Sequence, residues 1–95
     1  MNISVSLVDY IGKIESEFGD GVGVILSLQL NKELYEMIYW FNIKNEFRIV
    51  IEDKFYKHFP DIKDIYKYEY LIDLLYYIDT TVLPKREEIF KEFLN

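Results

Sequence analysis

Few side chains in this sequence could carry covalent chemistry. It has no cysteine and a single histidine, His58. The lack of cysteine removes thiolate nucleophiles, disulfides and zinc–thiolate sites together. His58 stands in Lys57-His58-Phe59-Pro60, at the end of an expected short helix. An imidazolium there favours the helix dipole and the free terminal carbonyls, which gives it a structural role. A serine triad would have to pair His58 with Ser4, Ser6, Ser16 or Ser27. None of them lies in the strand–turn–helix setting that exposes a nucleophile.

Gly19-Asp20-Gly21-Val22-Gly23 has the glycine density of a phosphate-cradling loop. Such loops follow a strand and open a helix, because the helix N-terminus holds the phosphate. Here the expected order is the reverse, so the segment reads as a turn. Among the carboxylates, Glu15 with Glu17 and Asp61 with Asp64 are spaced like solvated helix positions. Glu52-Asp53 falls at a strand-to-helix junction, where Asp53 serves as a cap. No loop dense in oxygen ligands offers a calcium site. No catalytic residue, metal or cofactor is therefore expected.

The elements that would position these groups follow from periodicity. Leu7, Ile11, Ile14 and Phe18 recur at helical spacing, with Ser6 and Asp9 as a cap pair and Gly19 as the C-terminal stop; they predict a helix over 6–18. Val22 to Leu30 alternates and predicts a strand with one buried face. Residues 32–42 admit either a helix capped by Asn31 or a strand. The strand-forming run Ile38-Tyr39-Trp40-Phe41 favours strands at about 34–42 and 47–52 around a polar turn. Asp53 caps a short helix ending at Pro60, and Asp61 caps a longer one reaching Asp79. Residues 80–83 form an extended connection ahead of Pro84, which opens a last helix through Leu94. The expected fold is a single α+β domain over residues 1–95. It has an N-terminal helix, a three-stranded antiparallel meander, and two or three C-terminal helices packed on the sheet.

Two surfaces stand out. On the long helix, Ile72, Tyr68, Leu75, Leu71 and Ile78 form the expected core stripe. Tyr66, Tyr70 and Tyr77 gather within about 40° of one another, beside Asp73. Those tyrosines either pack inside a sandwiched helix or form a partner surface. On the middle strand, Leu34, Glu36, Ile38, Trp40 and Asn42 share one face. Trp40 beside Glu36, fringed by the strand-end carboxylates Asp20, Glu33, Glu46, Glu52 and Asp53, suits recognition of a basic partner.

Composition sets the class. The 95 residues are 51% hydrophobic and 18% aromatic, which excludes disorder and allows one domain with a real core. The net charge is −6, and it is uneven: residues 1–53 hold nine acids and four bases, residues 54–95 eight acids and seven bases. Phosphate neutralisation needs a basic patch, so direct nucleic-acid binding is not expected. Met1-Asn2-Ile3-Ser4 has neither a basic nor an apolar leader region, and Val22–Leu30 is too short to span a bilayer. A soluble, cytoplasmic protein without membrane association is expected.

In size, acidity and expected element order, the chain resembles bacterial toxin-immunity proteins of the bacteriocin and contact-dependent-inhibition type. It is also similar to small acidic anti-CRISPR phage inhibitors. Either resemblance implies a non-catalytic inhibitor that occupies the positive cleft of a basic partner, a toxin or nuclease effector, with electrostatic steering. A structural homo-oligomer is the other expectation, its tyrosine and tryptophan faces buried against copies of the chain.

Overall fold

The computed structural model describes residues 4–30, 32–58 and 70–94. Four strands, β1 (Ser4–Ser16), β2 (Gly19–Leu30), β3 (Glu33–Phe41) and β4 (Phe47–Ile51), form one antiparallel sheet in the order β1-β2-β3-β4. A short 3-10 helix of two turns, Asp53–His58, follows. After it comes an unbroken helical run: α1 (Tyr70–Tyr77), a π-helical turn (Ile78–Val82), a 3-10 turn (Leu83–Lys85) and α2 (Arg86–Phe93).

The N-terminal helix predicted over 6–18 is instead strand β1, so the sheet has four strands rather than three. Two bulges explain the misleading spacing. Register shifts fall between Leu7 and Asp9 and between Tyr10 and Gly12, and each inserts a residue that stretches period 2 towards period 3. Leu7 packs on the core, whereas Ile11 and Ile14 lie over Gly23 on the opposite face of the sheet. The apparent helical stripe is thus divided between two faces. Gly19 does take a positive φ, 98°, but in the β1–β2 hairpin rather than at a helix end. Ser16 holds that turn: its Oγ donates to the Gly19 carbonyl (3.0 Å) and accepts from Phe18 N–H (3.1 Å).

The two or three separate C-terminal helices are likewise overturned by the single run from Tyr70 to Phe93. The predicted extended link at 80–83 is helical, with Leu83 at φ −65°, ψ −30°. Pro84 lacks an N–H, and its ring would strike the carbonyl four residues back in a regular α-helix. The helix widens just ahead of it instead: Leu83 N–H reaches the Ile78 carbonyl, five residues back. The part of the predicted 61–79 helix before Tyr70 lies outside the described residues.

Alternation in β2 and β3 builds the core. Val22, Val24, Leu26, Leu28 and Leu30 point to one face with Tyr35, Met37, Tyr39 and Phe41. Leu74, Ile78, Val82 and Ile89 of the helical run cover them. Phe55 meets Tyr35 edge-on, with ring centroids 5.2 Å apart. The buried side of α1 and the π turn therefore runs through Leu74 and Ile78; of the predicted core stripe Ile78 is buried, whereas Ile72 and Leu75 are exposed. Tyr77 is half-buried, and its hydroxyl accepts the Leu7 N–H at 2.7 Å. That bond ties the helix to β1 beside the first bulge.

Candidate functional site

The helical run covers one face of the sheet. Side chains of alternate parity define the other: Gly21, Gly23, Ile25 and Ser27 of β2, Leu34, Glu36, Ile38 and Trp40 of β3, and Arg48 and Val50 of β4. Gly21 and Gly23 leave a trough at the end of this face nearest the β1–β2 turn. A Cβ on Gly21 would lie 2.3 Å from Trp40 Cε2, so the indole lies directly on the glycine backbone. Trp40 Nε1 donates to the Ile14 carbonyl at 3.2 Å, and the residue is 5% exposed. Trp40 therefore seals the trough and does not project to a partner. Arg48 lies beside it, its guanidinium 3.9 Å from the Phe18 ring centroid.

Away from this sealed end the face is open and apolar. Val8 is 60% exposed, Leu34 61% and Val50 62%, with Ile25 and Ile38 half-buried among them; Ile11, also exposed, borders the glycine trough over Gly23. Two hollows mark the surface. One, about 190 Å³, is lined by Val8, Ile25, Leu34, Glu36 and Glu52. The other, about 280 Å³, is lined by Glu36, Ile38, Val50, Glu52 and Asp53. Glu36 and Glu52 belong to both, so a pair of carboxylates stands on the ridge between two apolar depressions.

Glu52 is built into place. Its Oε1 accepts the Glu36 N–H at 2.7 Å, and its Oε2 lies 3.4 Å from Lys54 Nζ. The backbone hydrogen bond first, and Lys54 after it, hold its carboxyl below the usual range against the opposing effect of desolvation. Glu36 and Asp53 form no ion pair among the described residues.

The structure thus brings together Glu36, Glu52 and Asp53 from the sequence-derived set, whereas Trp40 lies apart from them over Gly21, four residues along β3 from Glu36. It separates the others. Glu33 is bonded by the Tyr35 hydroxyl on the covered side of β3; burial first, and Glu33 second, push the Tyr35 phenol up to about 12. Glu46 lies in the β3–β4 loop, accepting from Asn42 Nδ2 at 2.9 Å. Asp73 is exposed on α1, and Tyr77 faces the sheet as described. Tyr66 and the side chain of Tyr70 lie outside the described residues. Sequence reasoning missed Val8 and Ile11, because the bulges disguised β1. The even-numbered positions of Leu34 and Val50, shared with Glu36 and Glu52, were the available signal.

Among the described residues, no group of three or more His, Cys, Asp or Glu is placed to hold a metal, and no helix is long and apolar enough to cross a membrane. No protein-family model, curated protein or solved structure matches the chain.

Proposed function

We propose that this chain is a non-catalytic cytoplasmic binding protein that neutralises a basic protein partner through the uncovered face of its sheet. The observation that supports this is the Glu36–Glu52 ridge between two apolar hollows. Apolar anchors of a partner fill the hollows, and a Lys or Arg between them meets the carboxylates. Area burial then supplies affinity, and charge supplies register and association rate. A toxin nuclease domain is the first partner class, since its phosphate-binding cleft must be positive.

The test is co-purification with basic proteins from the source lysate, followed by titration of the captured protein and an assay of its activity. Wild-type chain should bind at one-to-one stoichiometry, more slowly at high salt, and suppress the partner's activity. Leu34→Lys and Glu36→Lys, which sit on exposed positions, should keep the circular dichroism of the parent and lose the complex. Undiminished binding by both variants would refute the assignment of this face.

A further inference from the structure

The outer edge of β4 carries a pattern that matches itself. The bonds Asn42 N–H to Glu46 O (3.1 Å) and Glu52 N–H to Glu36 O (3.2 Å) show that even-numbered residues of this hairpin turn their backbone groups towards β3. The odd-numbered residues of β4 therefore direct theirs outward. The Phe47 carbonyl is capped by Arg48 Nη1 at 2.7 Å. The N–H and C=O groups of Ile49 and Ile51 have no backbone partner among the described residues. The opposite edge, β1, is broken by two bulges, a device that blocks pairing. β4 has no bulge and no proline.

We propose that two copies of the chain pair antiparallel through their β4 edges, about a two-fold axis at Val50. In that register Ile49 of each copy exchanges hydrogen bonds with Ile51 of the other. On the uncovered face, Arg48 lies opposite Glu52 of the second copy, and the two Val50 side chains meet at the axis. The series Arg48, Val50, Glu52 is thus its own complement when reversed. Moving the axis one residue to Ile49, a two-residue slip of the strands, would set Glu46 opposite Glu52, and centring it on Arg48 would oppose two guanidinium groups. Like charges directly opposite are unfavourable, so charge selects the Val50 register. The dimer has one continuous eight-stranded sheet, and the uncovered faces of both copies lie side by side.

The chain has no cysteine, so Val50→Cys introduces the only thiol. At the axis the two thiols occupy a non-hydrogen-bonded pair, where side chains approach most closely. Mild oxidation should give a disulfide dimer, and sedimentation equilibrium of the wild-type chain should show a reversible dimer. Arg48→Glu and Glu52→Arg should each weaken self-association about tenfold or more, since two attractive pairs become repulsive. An equimolar mixture of the two variants should recover it, because each then supplies the charge the other lacks; circular dichroism checks that both fold. A wild-type chain that stays monomeric at high concentration would overturn the proposal. So would a dimer indifferent to both charge reversals, or a mixture that fails to recover.

Discussion

Replacing Gly21 with alanine would place a methyl carbon 2.3 Å from Trp40 Cε2, 2.4 Å from Nε1 and 2.6 Å from the Phe41 carbonyl oxygen. The last contact matters most, because Phe41 pairs with Val22 next door and its backbone cannot retreat without opening the β2–β3 ladder. The indole must move. Complete expulsion of a tryptophan, at about 200 Å² and about 25 cal/mol/Å², would forfeit about 5 kcal/mol, which bounds the cost. Partial displacement falls in the overpacking range of about 1–3 kcal/mol, plus about 1 kcal/mol for the strained Trp40–Ile14 hydrogen bond. Alanine recovers about 0.5–1 kcal/mol by restricting the unfolded chain. The expected net loss is about 1–3.5 kcal/mol, or a fall in Tm of about 4–8 °C for each kcal/mol in a domain of this size. Gly23→Ala is the control. Its nearest obstacle is Ile14 Cδ1 at 2.4 Å, the far end of a flexible side chain, and its cost should stay below about 1 kcal/mol. Urea unfolding followed by fluorescence of Trp40, the only tryptophan, reads both. Equal stabilities for the two variants would refute the assignment of Trp40 as the lid of a glycine trough.

Two further outcomes follow from single contacts. Tyr77→Phe leaves the Leu7 N–H without its acceptor at the helix–sheet junction, which should cost about 1–2 kcal/mol by denaturant titration; a neutral result would mean that water replaces the phenol there. Tyr35, raised from 10.0 to about 12 by burial and by Glu33, binds its proton more tightly folded than unfolded. The stability it contributes is complete below pH 10 and is lost as the pH rises from 10 towards 12. Unfolding measured across that interval should be less alkali-sensitive in Tyr35→Phe than in the parent, and an identical pH profile would remove Tyr35 from the account.

The sequence was most legible where one periodicity ran without interruption. β2 alternates cleanly from Val22 to Leu30, and the predicted strands at 34–42 and 47–52 coincide closely with β3 and β4. It misled where backbone irregularity reset the count. Two bulges gave β1 a spacing of three to four residues, and local pattern carries no mark that separates a bulged strand from a helix. Pro84 argued for a break, but a π turn absorbs the proline without one. The candidate site divided in the same way. Glu36, Glu52 and Asp53 were legible because they occupy regular strand positions and a strand end. Val8 and Ile11, on the bulged strand, were not. Trp40 drew attention by its type, yet Gly21 beneath its ring lets it lie buried against the sheet.

The bulges in β1 also bear on how far this sheet can grow. An exposed β edge invites addition of further strands and, with both edges open, unlimited stacking into fibres. Here the irregular backbone at Leu7–Gly12, including Gly12 at φ 99°, spoils the hydrogen-bond spacing that an incoming strand would need. Whatever adds to β4, the far side ends the sheet. An apolar, aromatic-rich chain with an uncovered sheet face thereby keeps a built-in stop against aggregation.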